Sequence, residues 1–468
     1  MLVAVALETT LPDVVDDAST PSAGLAIRWV FPAGEGSITR LEIGETQFGR
    51  HASCAGYIPS ASVSRTHAAI RWTPGSVPML RDLDSTNGVF VNGLRVRQAP
   101  LKPRDVLRIG DFVGVLVFLP AEGATAWTFQ EIIPGYWAGP ALLAALAPAR
   151  LVAATDLPII IQGETGVGKE GAAQAIAAWS GRREPLVAIN CAALPEALAE
   201  GELFGYRRGA FSGAERAHPG FLRAAQGGTL LLDEIAELTP PIQAKLLRAI
   251  EQREVVPLGD SEPVAIDVRF LAAAQSPLRI AVQEKRFRGD LLARLDGLTI
   301  RLPPLRERVE EIPYLVARLI EHHRGRAAPP RLDPLLVESL CAHDWPFNVR
   351  ELAFLVRRLL ALHPNAAVLD HRMLAGTLAP RDARGSDGAV TAAASGPAPV
   401  SPGSAERGSD ESPDPTPEAL LAVLRTERGN VKRAAAALGI SRGRLYRLME
   451  KIGSLEEELA IIRQPRDE

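Results

Sequence analysis

The stretch IIIQGETGVGK, at residues 159–169, decides the fold of this chain. Its isoleucines predict a buried strand, the glycines that follow allow backbone amides to close around phosphate oxygens, and Lys169 supplies a positive charge. A second apolar run, Leu230–Leu232, predicts a buried strand that delivers Asp233 and Glu234 to its exposed carboxyl end. Together the two runs predict a parallel sheet with a nucleotide site at its edge, although the loop alone is also compatible with a glycine-rich turn without catalysis.

Composition places the chain among soluble proteins with several domains. A chain of 468 residues is too long for a single hydrophobic core. A prior of about 150 residues per domain predicts about three domains. The formal net charge of -3 excludes a whole-chain affinity for nucleic acid, so any such surface must be local. Cys54, Cys191 and Cys341 lie far apart without metal-ligand spacing, which predicts buried thiols in a reducing compartment. No run approaches the roughly eighteen apolar residues of a membrane span and no secretory pattern opens the chain, so we expect a cytoplasmic protein without a membrane partner.

Short apolar runs and turn signals alternate in the first part of the chain. From about Leu25 to Leu119 they predict a small β-sandwich. The runs are Leu41–Ile43, His67–Trp72, Met79–Leu83, Val89–Val91, Val106–Ile109 and Val113–Leu119. After Pro134, helical segments alternate with strand candidates, which predicts a parallel sheet flanked by helices. These candidates are Pro158–Ile161, Leu186–Ile189, Thr229–Leu232 and Val268–Ala273.

The C-terminal part changes character twice. Residues 381–415 are rich in Pro, Gly, Ser, Ala and Asp, which predicts a flexible linker, and the chain returns to a helical pattern at Thr416. We therefore predict a multidomain fold in five segments. These are an N-terminal extension (1–24), a β-sandwich (25–120), an α/β nucleotide-binding domain (131–376), a linker (377–415) and an all-α C-terminal domain (416–463). The family resemblances described below imply that the α/β domain ends in a helical lid over about 308–376 and that the C-terminal domain is a helix-turn-helix.

A dense series of motifs between roughly residues 131 and 376 resembles the bacterial enhancer-binding proteins, AAA+ ATPases that remodel the sigma-54 form of RNA polymerase. The motifs are GETGVGKE at 163–170, NCAAL at 190–194, ELFG at 202–205, GAFSGA at 209–214, GGTLLLDEI at 227–235, QAKLLRAIE at 243–251, FRGDLLARL at 287–295, LPPLRER at 302–308 and WPFNVREL at 345–352. The resemblance implies a P-loop AAA+ fold, ATP and Mg2+ as cofactors, sigma-54 RNA polymerase holoenzyme as partner, and a homo-oligomer that is a hexamer when active.

The phosphate loop and the acidic strand end make up the candidate nucleotide site. Asp233 would hold magnesium, and Glu234 would polarise the attacking water. Arg350 resembles the second sensor of the family's lid, although an arginine at a helix start is also compatible with a simple ion pair. The candidate cofactor-binding residues are Gly163, Glu164, Thr165, Gly166, Val167, Gly168, Lys169, Glu170 and Arg350.

The resemblance implies four further catalytic positions. Asn190 looks like the residue that holds Glu234 until ATP is bound, and Gln275 occupies the place of the usual first-sensor asparagine. Arg288 and Arg294 match arginine fingers that reach the γ-phosphate of a neighbouring subunit, which requires a ring. From the residues alone, Asn190 fits an ordinary hydrogen bond at a strand end, and the arginines fit a basic helix face or salt bridges.

The GAFSGA loop lies inside the nucleotide-binding unit, and the resemblance implies that it contacts the sigma factor. Its residues are Gly209, Ala210, Phe211, Ser212, Gly213 and Ala214. Phe211 offers an apolar anchor, and Ser212 replaces the usual threonine. Tyr206-Arg207 stands where the family commonly has a His-Glu pair. A core position is the alternative for Phe211, but flanking glycines suit a mobile loop better.

Three short motifs in the predicted sandwich resemble forkhead-associated (FHA) domains, which bind phosphothreonine peptides. They are FGRHA at 48–52, SVSRTH at 62–67 and DSTNGVFVNG at 84–93. Arg50 and Arg65 can pair with phosphate oxygens, Ser64 can donate a hydrogen bond, and Asn87 can hold the peptide backbone. The implied partner is a phosphothreonine-containing protein or peptide, and a plain sandwich is the alternative.

Residues 429–452, GNVKRAAAALGISRGRLYRLMEKI, resemble the Fis-type helix-turn-helix that ends enhancer-binding proteins. Gly439 supplies the turn, and Ser441 can cap the second helix. The candidate contacts to double-stranded DNA are Ser441, Arg442, Arg444, Tyr446 and Arg447. An exposed basic helix in a small bundle is the alternative.

These parts together predict a transcription activator that binds enhancer-like DNA, receives a phosphothreonine signal and uses ATP hydrolysis to remodel sigma-54 holoenzyme. Two alternatives lack productive sigma-54 contact. One is a DNA-binding, phosphopeptide-responsive scaffold or repressor, and the other is an AAA+ remodeller of a different partner.

Overall fold

A computed structural model of the chain describes residues 24–32, 37–119, 127–182, 186–211, 214–325 and 328–374. These residues all belong to one compact unit, Met1–Val390. The predicted linker and helix-turn-helix, with its five candidate DNA contacts, lie outside the described residues, as do Ser212 and Gly213.

The first domain is the predicted β-sandwich. Its two sheets have the strand orders β2-β1-β11-β10-β7-β8 and β4-β3-β5-β6-β9. The strands are β1 (Gly24–Phe31), β2 (Ile38–Arg40), β3 (Gly44–Gly49), β4 (Gly56–Tyr57), β5 (Ala68–Trp72), β6 (Met79–Asp82), β7 (Val89–Val91), β8 (Leu94–Val96), β9 (Gln98–Pro100), β10 (Val106–Ile109) and β11 (Phe112–Leu119). The predicted strand at Leu41–Ile43 is wrong, because β2 ends at Arg40 and the exposed Ile43 precedes a turn into β3.

The second domain is a five-stranded parallel sheet with the order β15-β16-β19-β14-β20, flanked by helices. Its strands, with two small hairpins, are β12 (Gln130–Ile133), β13 (Tyr136–Ala138), β14 (Ile159–Gln162), β15 (Leu186–Asn190), β16 (Thr229–Asp233), β17 (Glu254–Val255), β18 (Val264–Ala265), β19 (Arg269–Ala274) and β20 (Leu298–Arg301). Its helices are α1 (Pro140–Leu151), α2 (Lys169–Ser180), α3 (Glu196–Phe204), α4 (Phe221–Ala224), α5 (Pro240–Gln252), α6 (Leu278–Gln283) and α7 (Gly289–Leu295).

Alternate residues of the central strands feed separate apolar cores on the two faces of this sheet. Ile160 and Leu230 belong to one core, whereas Ile159, Ile161 and Leu231 belong to the other. Because successive side chains of a strand point to opposite faces, burial on both sides requires the continuous apolar runs seen in the sequence. This double burial fixes the strand ends at which the phosphate loop and the acidic pair begin.

The third domain is helical and follows β20. Its elements are α8 (Ile312–Arg324), β21 (Arg331–Leu332), α9 (Pro334–Ala342), α10 (Asn348–Leu362) and β22 (Val368–Leu369), which pairs in parallel with β21. The buried Leu352, Leu355, Val356 and Leu359 recur at helical spacing along α10 and form one face of it. This face packs α10 against α8 in the same apolar core.

Two whole-chain predictions can be compared with the described residues. Cys54, Cys191 and Cys341 are all free and buried, as predicted. Within the described ranges, the structure contains no helix with the length and apolar character needed to cross a membrane.

Candidate functional site

The phosphate loop joins β14 to α2 and lines a cavity of about 720 Å³. Lys169 opens α2, is 8% exposed and donates from Nζ to the carbonyl oxygen of Gly163 at 2.9 Å. The amino end of α2 adds its unpaired amides to this wall of the cavity. A cavity of this size and charge suits a nucleoside triphosphate.

The acidic pair lies at the carboxyl end of β16, of which Asp233 is the last residue, and lines the same cavity. Glu234 has φ 53°, which a residue other than glycine adopts infrequently and often at functional sites. Its Oε1 lies 3.6 Å from Nζ of Lys169, and its backbone N donates to Oδ1 of Asp233 at 3.1 Å. The structure therefore brings together the cation and both carboxylates that the sequence predicted.

Asn190 ends β15 directly beside Asp233 in the parallel register and also lines the cavity. Its Oδ1 accepts a hydrogen bond from the backbone N of Ala192 at 2.9 Å and thereby caps a short 3-10 turn at Cys191–Ala193. Burial and the nearby carboxylates raise the pKa of the Cys191 thiol to about 12. Cys191 is therefore a neutral packing residue beneath the site.

The helical domain closes on the phosphate loop through Asn348, a contact that the sequence analysis missed. Asn348 is fully buried, accepts from the backbone N of Leu305 at 2.7 Å and donates to the carbonyl oxygen of Thr165 at 3.1 Å. Gly166 has φ 75°, and a Cβ added there would lie 2.2 Å from the carbonyl oxygen of Phe347. Only glycine fits this approach, and the position of Asn348 inside the quoted NVREL motif was the available signal.

Arg350 lies two residues after Asn348 in α10 and lines the cavity. Thr165, Val167, Gly168 and Glu170 also line it. The backbone N of Arg350 donates to the carbonyl oxygen of Gly166 at 3.3 Å. The predicted lid residue therefore lies beside the phosphate loop.

Glu164 has a partner outside the nucleotide cavity. Its carboxylate accepts two hydrogen bonds from the guanidinium of Arg306, at 2.7 and 2.5 Å, and these hold its pKa below the ordinary value. In the described part of the chain, neither Glu164 nor Gly163 is among the residues that line the cavity. Glu164 therefore supports the phosphate loop through Arg306, outside the cavity.

A buried pair, Arg308 and Glu311, supports the loop from the start of the helical domain. Arg308 donates to Oε2 of Glu311 at 3.1 Å and to the carbonyl oxygen of Val167 at 3.3 Å. Burial raises the pKa of Glu311 to about 7, while the guanidinium of Arg308 pulls it down. Sequence pattern gave no indication that these charged residues would be buried.

The remaining catalytic candidates are not among the described residues that line this cavity. Arg288 makes a bidentate pair with Asp290, at 3.0 and 2.6 Å, and Arg294 donates from Nε to Glu251 at 2.7 Å. Both arginine side chains are substantially exposed, at 44% and 60%. Gln275 is exposed and directly follows β19. The structure keeps Arg288 and Arg294 apart from the lining of the pocket of their own chain, whereas Gln275 lies next to the phosphate loop, because the backbone N of Gly163 donates to the carbonyl oxygen of Ala274 at 3.1 Å.

The described part of the 209–214 loop is a tight turn. The backbone N of Gly209 donates to the carbonyl oxygen of Ala214 at 2.8 Å, and Ala214 N donates to that of Phe211 at 3.0 Å. Phe211 is 39% exposed and contacts the ring of Tyr206 edge-on, with centroids 5.0 Å apart. Phe211 is therefore not a core aromatic.

The base of this turn is held by the segment between β17 and β18. Arg207 pairs with Asp260, and its backbone N donates to the carbonyl oxygen of Leu258 at 3.0 Å. Ala210 packs close to Gly259. The Tyr206-Arg207 pair thus joins two loops that are far apart in sequence.

The four predicted phosphopeptide residues cluster at one end of the sandwich. Backbone N of Arg50 donates to the carbonyl oxygen of Ser64 at 2.9 Å, and Nδ2 of Asn87 donates to that of Ser62 at 2.7 Å. Within the described ranges, the exposed guanidinium groups of Arg50 and Arg65 make no recorded hydrogen bond or ion pair. This end of the sandwich therefore presents two available cations beside the Ser64 hydroxyl.

His67 braces these loops from within. It is fully buried, its Nδ1 accepts from the backbone N of Ser64 at 3.0 Å, and its Nε2 lies 3.1 Å from the carbonyl oxygen of Gly88. Burial lowers the pKa of His67 below its ordinary value. The neutral ring therefore fixes two of the three loops relative to each other.

Four family models match the chain in succession. They are the FHA domain over residues 46–110, the Sigma-54 interaction domain over 138–301, the AAA+ ATPase lid domain over 306–390 and the bacterial regulatory protein, Fis family, over 418–451. The predicted fold class is confirmed.

Sequence comparisons with two transcription regulators agree with these matches. The chain is 35% identical over 426 residues to the anaerobic nitric oxide reductase transcription regulator NorR of Aeromonas hydrophila. This alignment covers 85% of the chain and 80% of NorR. It is 40% identical over 284 residues to the DNA-binding transcriptional regulator NtrC of Bradyrhizobium sp., covering 60% of this chain and 59% of NtrC, which is less than two thirds of that relative. A crystal structure of NtrX from Brucella abortus in complex with ATP aligns with a TM-score of 0.45 at 30% identity, covering 67% of this chain and 68% of NtrX.

The fold and the site define an AAA+ protein that carries an FHA domain. The chain belongs to the family of sigma-54-dependent transcriptional regulators. Its second and third domains are accordingly the sigma-54 interaction domain and the lid.

Proposed function

We propose that this protein is a sigma-54-dependent activator that binds enhancer-like DNA and uses ATP hydrolysis to convert RNA polymerase holoenzyme into the open complex. The observation that carries the proposal is the half-exposed Phe211 on a turn inside the nucleotide-binding domain. A turn placed there can change position with the nucleotide while it presents an apolar contact to a partner.

The residues of the cavity divide the work of hydrolysis. Lys169 neutralises phosphate charge, and Glu234 polarises the attacking water. The carboxylate of Asp233 fits a magnesium ion, which when bound would screen the charge on the nucleotide phosphates. On binding of ATP, Lys169 exchanges its contacts with Glu234 and Gly163 for phosphate oxygens, so that Glu234 is free to act on water.

The FHA domain supplies the input in this proposal. Arg50 and Arg65 would bind the phosphate of a phosphothreonine peptide, Ser64 would donate to it, and Asn87 would hold the peptide backbone. The C-terminal Fis-type segment would bind DNA. The active form would be a hexamer in the cytoplasm, in which Arg288 and Arg294 serve a neighbouring pocket.

The test is formation of open complexes on a sigma-54 promoter with ATP, together with ATPase activity. Glu234→Gln should bind nucleotide but form no open complexes, because water is no longer polarised. Phe211→Ala should keep ATPase activity and lose open complexes. Phe118→Ala is the matched control, since Phe118 is a 61% exposed phenylalanine on the FHA domain and should leave both activities unchanged.

The outcomes separate the proposal from its alternatives. ATPase activity without open complexes in the wild type, and also in Ser212→Thr, would favour an AAA+ remodeller of another partner. Absence of ATPase activity with retained DNA binding would favour a scaffold or repressor. Open complexes formed normally by Phe211→Ala would remove the loop from the mechanism.

A further inference from the structure

The FHA domain is packed against the lid through the outer face of one of its sheets. Val113 and Val115 of β11 are fully buried and share one apolar core with Leu336 and Val337 of α9. A sandwich by itself buries the side chains between its sheets, whereas these valines point outward and need a cover. The lid supplies that cover, so the two domains form a continuous core.

A buried ion pair anchors the same contact. Nε of Arg108 in β10 lies 2.5 Å from Oε2 of Glu338 in α9, and the two side chains are only 10% and 4% exposed. The other carboxylate oxygen of Glu338 accepts from the backbone N of Gly93 at 3.2 Å, and the guanidinium of Arg108 lies over the ring of Phe90. A buried charge requires its partner, so this pair fixes the register of the FHA domain on the lid.

Short contacts connect this anchor with the phosphopeptide surface. Arg108 donates to the carbonyl oxygen of Gly110 at 3.4 Å, and the next residue, Asp111, donates from its backbone N to Oγ of Ser62 at 3.1 Å. Gly110 has φ 60°, and a Cβ there would lie 2.5 Å from that oxygen. Ser62 in turn accepts from Asn87. A peptide held by Asn87 is therefore connected through Ser62 to the turn at Gly110 and Asp111 that follows Arg108.

A series of stacked side chains runs from the FHA domain to the nucleotide cavity. Arg28 of β1 lies 5.4 Å from the ring of Trp127, which stacks on Phe129 with centroids 6.3 Å apart. Phe129 stacks on Trp137 at 5.8 Å, and the guanidinium of Arg318 lies 4.4 Å from the Trp137 ring. Trp137 and Arg318 both line the cavity. The FHA domain therefore supports one wall of the nucleotide site.

We propose that docking of the FHA domain on the lid links the phosphothreonine site to the nucleotide site, so that each ligand changes the affinity for the other. The identity of the two ligands rests on the proposed function, whereas the docking contact does not. The docked lid is held closed on the phosphate loop by Asn348. Separation of the two domains would loosen the lid and lower the fraction of protein that is ready to bind nucleotide.

The first measurement is the affinity of the full-length protein for a fluorescent, slowly hydrolysed ATP analogue. Val115→Lys places a charge in the docking core but on the outer face of the sandwich, where it is solvated once the domains separate, so the sandwich should remain folded. Val77→Lys is the matched control, because Val77 is 59% exposed in a turn. We expect affinity for the analogue to fall by about fivefold or more in Val115→Lys, within the range typical of coupled sites, and to be unchanged in Val77→Lys.

A second variant tests the contact without adding a charge. Arg108→Met with Glu338→Leu replaces the buried pair by apolar side chains, which proteins often tolerate, but it leaves Gly93 without its acceptor. Its affinity should fall in the same direction as that of Val115→Lys. Wild-type affinity in both variants, with unchanged thermal melting, would overturn the proposal.

The second experiment measures the effect of a phosphothreonine peptide on nucleotide affinity. The peptide is the member of a degenerate library that binds the full-length protein most tightly. It should shift the affinity for the ATP analogue in the wild type and in Val77→Lys but not in Val115→Lys, since linkage is reciprocal and requires docking. An equal shift in Val115→Lys would overturn the proposed route. Failure of open-complex formation would contradict the proposed function alone, because the difference between Val115→Lys and Val77→Lys does not depend on sigma-54.

Discussion

Asn348 shows how one buried polar side chain can fix two domains. Its αL backbone, with φ 53°, opens α10, and its amide joins Leu305, Thr165 and Glu164. Asn348→Ala leaves the buried N–H of Leu305 without an acceptor, a loss of about 1–3 kcal/mol. We expect a lower melting temperature and weaker ATP binding, measured by calorimetry.

Asn348→Gly is the companion variant, because glycine accepts the αL backbone that alanine strains. Similar losses in both variants would assign the effect to the side-chain amide. Wild-type ATP binding in Asn348→Gly would contradict that assignment. The loss in Asn348→Ala would then come from the strained backbone conformation alone.

His67 gives the phosphopeptide surface a dependence on pH. Burial lowers its pKa from the ordinary value of 6.5, so the unfolded chain binds this proton more tightly than the folded protein. The stability that this difference contributes is fully present above pH 6.5 and is lost as the pH falls towards the pKa of the folded state. A charged ring could no longer accept the hydrogen bond from Ser64.

The measurement is an NMR titration of histidine ring resonances in the full-length protein, with His67→Asn used to identify the resonance of His67. We expect the titration midpoint of His67 to lie below 6.5. A midpoint at or above that value would mean that burial does not disfavour the charged ring, contrary to the buried geometry.

At the scale of elements, the sequence predicted those strands that are buried on both faces. Strands β14 and β16 were predicted within about a residue because continuous apolar runs such as Leu230–Leu232 are the signature of a parallel sheet. Strand β20 was missed because only Ile300 of its four residues is fully buried. Leu41–Ile43 was mistaken for a strand because apolar content alone does not distinguish a strand from the connection between β2 and β3, in which Leu41 is buried and Ile43 is exposed.

The residues of the candidate site also divide into those that the sequence could predict and those that it could not. Lys169, Asp233 and Glu234 were predictable because their chemistry requires them at the ends of strands or in a phosphate loop. Arg306 and Arg308 were not, because a local pattern does not reveal that Arg306 pairs with the distant Glu164 or that Arg308 is buried against Val167. Tertiary contacts decide that burial.

Two loops meet at Arg207 and Asp260, and their contact provides a prediction at the scale of elements. Asp260→Asn keeps the size of the side chain but removes the charge that pairs with Arg207. We expect ATPase activity to be unchanged and open-complex formation to fall by about twofold to fivefold, since the Arg207 side chain is 58% exposed and water screens much of its attraction to Asp260. The measurements are steady-state ATP hydrolysis and promoter opening on the same preparation.

Glu262→Gln is the matched control, because Glu262 is an exposed acid in the same segment. Equal effects of the two variants would show that net charge in the segment matters rather than the pair. A fall in ATPase activity with Asp260→Asn would contradict a role confined to positioning the 209–214 loop.

At the scale of the whole molecule, the arrangement of arginines bears on assembly. Arg288 and Arg294 lie on exposed surface next to acidic residues of their own chain and away from the nucleotide cavity. A single chain therefore has the phosphate loop and the acidic pair in one place and the predicted arginine fingers in another. A site completed by a neighbouring subunit would join the two.

Mixing of variants tests that arrangement. Arg294→Ala should lose about 10³-fold or more in ATP turnover, because the developing charge is no longer neutralised, while it still binds ATP. Lys169→Ala should bind no nucleotide but should still offer its Arg294 to a neighbour. An equimolar mixture should therefore hydrolyse ATP faster than the sum of the two separate preparations. Arg279→Ala, which removes an 81% exposed arginine paired with Asp296, is the control and should keep wild-type turnover. Wild-type turnover by Arg294→Ala alone would contradict a site completed in trans, and so would a mixture no faster than the sum in particles shown to contain both variants.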